Sequence, residues 1–303
     1  MPSYTQQLAQ KQFIKPPPWL PANIHYECIT GSMSYGVSND SSDLDLLGFC
    51  VPKKELLFPH LNGEIMGFGK QRERFNQYQQ HHIMDKSARG GKGQEYDITI
   101  YSIVRYFQLV MENNPNMIDS LFVPNECVTQ ITQVGTMVRD ARKDFLHKGA
   151  WHKFKGYSYQ QLKKMKTKKP IGKRKETIAE FGYDVKFGYH VVRLIQEIEM
   201  ILIEEDLDLR RNNEVLKAIR RGDRDAQWII DFFESKEKQL EEAYAKSKLP
   251  NGPNEAKIKE LLLNCLEHQY GSLQTIIDSP VINENSAIQA LKDIQTIIEK
   301  QNV

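Results

Sequence analysis

The chain has 303 residues, 40% of them apolar and 26% charged, the balance of a folded globular protein with room for one large domain or two ordinary ones. No stretch approaches the roughly 18 apolar residues that a bilayer span needs. A net charge of +2 creates no global field for nucleic acid, so any polyanion binding has to come from local clustering.

The opening stretch, "MPSYTQQLAQKQFIKPPPWLP", has no apolar signal core and no small-residue cleavage site, so a cytoplasmic protein is expected. Prolines 16 to 18 are too stiff for helix or central strand and mark the end of an N-terminal arm, residues 1–21, with the ordered core expected after it. "IHYECIT", Ile24 to Thr30, reads as a strand that stops at Gly31. A second strand follows in "DLDLLGFCV", ended by Pro52. From Pro52 to about Gly93 the chain is polar and glycine-rich, so loops and at most short strands or helices are expected. "EYDITIY" alternates strictly, which predicts a third strand with Tyr96, Ile98 and Ile100 on one face and Glu95, Asp97 and Thr99 on the other. The helix "SIVRYFQLVMENN" comes next, stopped by Pro115.

Beyond residue 125 the pattern turns almost wholly helical. Phe187, Val191, Leu194, Ile198 and Ile201 recur at steps of four and three, an apolar stripe on one helix face. Two further helices are predicted, from about Ala226 to Lys246 and from Glu255 to Tyr270, separated by the breaker "LPNGP". Four cysteines, Cys28, Cys50, Cys127 and Cys265, lie far apart with no CxxC pair, which argues for buried thiols rather than a zinc ribbon or disulfide framework. Between Lys163 and Lys175, eight basic residues occur without an acidic one, which suits either a solvated loop or a polyanion-binding segment. Trp151, Phe154, Tyr157 and Tyr159 precede that run and suit base stacking or a helical core equally.

Chemistry concentrates in "TGSMSYGVSNDSSDLDLLGF", residues 30–49. On a strand, Asp43 and Asp45 project from one face and Leu44 and Leu46 from the other. Two neighbouring carboxylates repel each other unless a divalent cation lies between them, and oxygen-only donors favour Mg2+ or Mn2+ over zinc. Asp97 sits on the right kind of strand to be a third carboxylate, and Glu95 shares its face. Such a site suits phosphoryl transfer, with Gly31 letting backbone approach a phosphate and Ser32 offering hydroxyl and amide, helped by the amides opening a following helix. A P-loop is excluded because Val37 stands at its lysine position, and an EF-hand because Leu47 and Lys54 stand at ligand positions. An acidic turn in "NDSSD" that merely caps the backbone does not explain the full combination. The pair His81 and His82 is expected on a surface loop, because adjacent histidines on an extended segment point apart.

With "GSMSYG" and "SDLDLLGFCVP" in hand, the chain resembles the polymerase-beta-type nucleotidyltransferase superfamily. More narrowly it is similar to the RlaP-like family of RNA-repair-associated nucleotidyltransferases, through "YDITIYSIVRYFQLVMENNPNMIDSLF", "FLHKGAWHKFKGYSYQQLKKM", "DVKFGYHVVRLIQ" and "KLPNGP". The resemblance implies an α+β fold, with a polymerase-beta-like core over residues 22–125 and an all-helical C-terminal domain over 126–303. It implies Asp43, Asp45 and Asp97 as metal ligands, with Glu95 the other candidate for the third place, and Gly31 and Ser32 as phosphate contacts. Asp119 stands where relatives commonly carry Glu, and its shorter reach bears on any neighbour it orients. Lys186, His190 and Arg193 share one helix face, and spacing alone suits a solvated polar face with Arg193 paired to Glu197. The resemblance instead assigns Lys186 and Arg193 to phosphate charge, with His190 as a hydrogen-bonding partner. The expected reaction is Mg2+- or Mn2+-dependent transfer of a nucleotide from a nucleoside triphosphate to a hydroxyl, most naturally on an RNA bound through Lys163 to Lys175. Transfer to a protein, or nucleotide and RNA binding without catalysis, are the alternatives.

Overall fold

Strand register brings the motif residues together. In the computed structural model, which describes residues 2–38, 42–71, 73–167 and 173–272, five strands form one mixed sheet. They are β1 (Ile24–Thr30), β2 (Leu44–Cys50), β3 (Gln77–Asp85), β4 (Gln94–Ser102) and β5 (Val128–Ile131), ordered β3-β4-β2-β1-β5. β2 and β4 are parallel and every other pairing is antiparallel. The helices are α1 (Tyr4–Gln10), α2 (Lys54–Leu57), α3 (Ile103–Met111), α4 (Pro115–Phe122), α5 (Gln133–Asp140), α6 (Ala150–Thr167), α7 (Lys173–Phe181), α8 (Val185–Glu204), α9 (Asn213–Arg220), α10 (Ala226–Lys246) and α11 (Glu255–Tyr270).

Three expectations are corrected here. The N-terminal arm is part of the core: Ser3 caps α1 in a reciprocal capping box with Gln6, and Leu8, Ile14 and Leu20 are buried. The buried Glu27 carboxylate accepts hydrogen bonds from the Tyr4 and Thr5 amides (2.7 and 3.0 Å) and from the Thr129 hydroxyl (2.7 Å). A negative group at a helix N-terminus satisfies orphan amides and the helix dipole together. Lys11 adds an ion pair to Asp85 of β3 at 2.9 Å. The second correction is β3, a nine-residue edge strand in a segment expected to hold only short elements. The third is β5, which pairs with β1 beyond the expected boundary at residue 125.

One face of the sheet packs on α3 and α4 through Tyr26, Phe49 and Tyr106, with the Tyr26 hydroxyl donating to the Ser120 carbonyl at 2.6 Å. The predicted helical segments form where the breakers allow: Ser102 caps α3, and Asn114 with Pro115 starts α4. α8 is buried on almost every face because α6, α9 and α10 all pack against it, so its apolar stripe is wider than a 3.6-residue pattern suggests. Trp151 and Phe154 are core residues, whereas Tyr159 is exposed. All four cysteines are buried thiols. Met1–Cys265 forms one compact unit; of the second, Leu266–Val303, the described part is residues 266–272. No helix among the described residues is long and apolar enough to cross a membrane.

Candidate active site

β1 delivers the chain to Gly31, whose φ of +67° is costly for any residue with a side chain. A Cβ at Gly31 would also overlap the Asp45 carboxylate, so glycine is required by both backbone and neighbour. The chain then makes a single turn rather than the expected helix. Tyr35 N–H donates to Gly31 O (3.3 Å), Val37 N–H to Ser32 O (2.9 Å), and Gly36 at φ +68° lets the turn close. Residues 39–41, which include part of the "NDSSD" stretch, lie outside the described residues.

Asp45 on β2 is the register partner of Asp97 on the parallel strand β4, so the two carboxylates stand side by side on one face, with Glu95 two residues earlier on that face. The Asp45 carboxyl is pushed up to about 6, first by burial and then by the Asp97 charge, and Lys186 only partly opposes the rise. Asp43 adds to the same repulsion.

The histidine pair departs from expectation. A register shift between Gln80 and Ile83 bulges β3, and His82 takes φ +56°, so both rings turn toward the acidic face of β4. His82 N–H donates to Asp97 Oδ1 at 2.8 Å, His81 Nδ1 lies 3.3 Å from Asp97 Oδ2, and His82 Nδ1 lies 2.6 Å from Glu95 Oε1. The hydrogen bond to Glu95, then the Asp97 charge, raises the His82 imidazole above its ordinary value. Asp97 is thus held by a backbone amide and faced by the His81 imidazole, while Glu95 is engaged by the His82 imidazole.

The opposite wall is the start of α8. Asp184 caps it, accepting from the Lys186 and Phe187 amides at 3.0 and 3.3 Å. Together the two walls enclose a cavity of about 740 Å3, lined by Gly31, Ser32, Asp43, Asp45, Asp97, Lys186, His190 and Arg193 among others. All eight residues singled out from the sequence therefore meet in one place. His190 lies against the Tyr189 ring, centroids 4.2 Å apart.

Arg193 reaches the cavity wall with its charge already engaged. It is 4% exposed, and its Nη1 donates to Asp119 Oδ2 and to both Glu197 oxygens at 2.9 Å. Its guanidinium lies 4.4 Å over the Tyr35 ring, and the Tyr35 hydroxyl donates to Asp119 at 2.7 Å. Arg193 thereby ties the Gly31–Val37 turn to α4 and α8, which fits a positioning role better than direct phosphate contact. Asp119, despite its shorter reach, orients both Tyr35 and Arg193. Sequence reasoning missed Arg220, which lines the cavity and donates to the Val37 carbonyl at 2.6 Å. No local motif marks it, because it arrives from α9 by long-range packing.

The donor set fits a divalent cation. Asp43, Asp45 and Asp97 offer hard oxygen donors, and the upward shift of Asp45, caused first by burial and then by the Asp97 charge, is one that a bound cation would oppose. Among the described residues, the ligand atoms that all lie within 4.8 Å of one another are those of His82, Glu95 and Asp97, rather than those of the expected trio Asp43, Asp45 and Asp97.

A mixed sheet with a Gly-Ser turn facing paired aspartates on parallel strands belongs to the polymerase-beta class. The family model RlaP, described as the RNA repair pathway DNA polymerase beta family, matches residues 6–217, and the chain belongs to that family. Its name points to a polymerase-beta-like nucleotidyltransferase in RNA repair. No curated protein matches the chain.

Proposed function

We propose that the chain is a cytoplasmic, divalent-cation-dependent nucleotidyltransferase that moves a nucleotide from a nucleoside triphosphate to a hydroxyl of an RNA end, releasing pyrophosphate. The observation that carries this reading is the Asp45–Asp97 pair, in register on parallel strands and facing the Gly31 turn across one cavity. Residues 22–125 supply the turn and the carboxylates, and the helical half beyond supplies the cationic wall.

Asp43, Asp45 and Asp97 would hold Mg2+ or Mn2+, which would neutralise triphosphate charge and lower the pKa of the acceptor hydroxyl. Gly31 and Ser32 receive phosphate oxygens, Gly31 offering backbone with no side chain of its own and Ser32 its hydroxyl and amide. Lys186 balances phosphate charge from the other wall, and His190 supplies a hydrogen bond beside it. Asp97, fixed by the His82 amide, accepts the hydroxyl proton as the oxygen bonds to the α-phosphorus and the bond to the β-bridging oxygen breaks. RNA as acceptor is supported by the family's place in RNA repair and by the basic residues that end α6. Of the run Lys163 to Lys175, Lys168 and Lys169 lie outside the described residues.

The test is incubation with each labelled triphosphate, Mg2+ or Mn2+ and total RNA, with the Asp43→Ala/Asp45→Ala variant as control. Label should enter RNA with the wild type and fall at least 100-fold in the variant, as expected when charge stabilisation of the transition state is removed. Label on polypeptide would move the acceptor to protein, and no transfer under any metal would sink the reading.

A further inference from the structure

The wall that carries Arg220 continues out of the cavity onto a surface that the reaction itself does not use. Arg220 lines both the main cavity and an adjoining pocket of about 260 Å3, which it shares with Val37, Lys217 and Arg221. Its guanidinium lies 5.5 Å over the Tyr189 ring. Beyond the end of α9, the Arg224 guanidinium lies 4.9 Å over the Trp228 ring, and Trp228 stacks on Phe232 with centroids 5.3 Å apart and planes 20° apart. The Tyr183 hydroxyl donates to the Arg224 carbonyl at 2.7 Å, which ties this corner to the residue beside Asp184, where α8 opens into the cavity.

The charges on this surface are not equivalent. Lys217 is paired with Glu214 at 2.7 Å and Arg221 with Asp223 at 2.9 Å. Arg220 and Arg224 make no ion pair among the described residues. Each instead sits on an aromatic face, and Arg224 is exposed while Trp228 and Phe232 are half-buried. Alternating guanidinium and ring along one path offers phosphate contacts and stacking platforms together, the pattern that recognises an unpaired polynucleotide. A triphosphate would need only the cavity end of this path, and RNA is the acceptor that the family's place in RNA repair favours.

We propose that the acceptor is single-stranded RNA whose strand leaves the cavity past Arg220 and runs over the α9–α10 corner, contacting Arg224 with its phosphate and Trp228 with a base. The proposal rests on the nucleotidyl-transfer reading for its direction, since the reacting end must lie at Asp45 and Asp97.

The experiment uses the full chain, a fluorescently labelled 12-nucleotide oligoribonucleotide followed by anisotropy, and ATP titrated separately by calorimetry. Arg224→Gln/Trp228→Leu should weaken oligonucleotide binding about tenfold or more and make the dependence of log K on log salt shallower by about 0.7, the contribution of one phosphate contact on a single strand. ATP affinity and melting temperature should stay at wild-type values. Arg224→Gln alone, a change at an exposed side chain, should show the salt effect even where the double variant is less stable. Unchanged oligonucleotide affinity and salt slope in both variants would overturn the proposal. So would loss of binding in Lys163→Gln/Lys164→Gln with none at the α9–α10 corner. A wild type that binds ATP and labels polypeptide but not RNA also overturns it while leaving nucleotidyl transfer standing. A wild type that binds the oligonucleotide at this corner but neither binds ATP nor transfers a nucleotide removes the reaction instead and leaves the surface.

Discussion

Asp45 is half-buried beside Asp97, and its carboxyl is pushed up to about 6, first by its partial removal from water and next by that neighbour. The ordinary value in an unfolded chain is about 4, so between the two values the folded state binds the extra proton. Stability contributed by this group is therefore fully present below about 4 and lost as pH rises through about 6, the direction set by proton linkage. Without metal, Asp45→Asn should stabilise the protein at pH 7.5 by about 1–3 kcal/mol and by much less at pH 4.5. Urea unfolding of both proteins in chelator at the two pH values checks this, and a difference that does not change with pH would contradict it. The same variant should be inactive, so the residue costs stability for function. Tyr35 offers a second residue-scale test. Tyr35→Phe removes only the hydroxyl that donates to Asp119, costing about 1–2 kcal/mol, and loosens the turn that Arg193 and Asp119 hold. Triphosphate affinity should fall several-fold by calorimetry at a temperature where the variant is fully folded. Unchanged affinity would show that the buried cluster supports the fold alone.

At the scale of elements, the first amides of α1 are held on the sheet by one buried carboxylate, that of Glu27. Glu27→Ala leaves the Tyr4 and Thr5 amides without their acceptor, while the Thr129 hydroxyl keeps the Glu27 carbonyl, and should cost about 2–3 kcal/mol, detectable as a lower urea midpoint. Early proteolysis within residues 1–20 should accompany it, and an arm that stays protected would contradict this anchoring. The strands show how far sequence pattern carries. β1 and β4 were legible because half or more of each strand is buried and alternation or β-forming residues mark it. β3 was not, because it is an edge strand with polar residues on both faces and a bulge that breaks the period at His81 and His82. β5 has only four residues, too few for any period to register. α10 and α11 were legible end to end because turn-forming segments flank them.

At the scale of the whole molecule, the eight predicted site residues converge because β2 and β4 lie parallel and α8 faces them across the cavity. The aspartate pair and the glycine turn could be read locally, since each is a short motif on one strand or strand end. Their partners could not. That Asp97 lies level with Asp45, that Arg193 is neutralised by Asp119 and Glu197, and that Arg220 reaches Val37 are long-range facts with no local pattern. The central claim is transfer of the α-phosphoryl group with its nucleoside, and following two labels at once tests it most directly. With RNA and a divalent cation, label in the α-phosphate of the triphosphate should become acid-precipitable with the RNA while label in the γ-phosphate appears in pyrophosphate, in equal amounts. Label from the γ-phosphate on the acceptor, or orthophosphate alone in solution, would contradict the account.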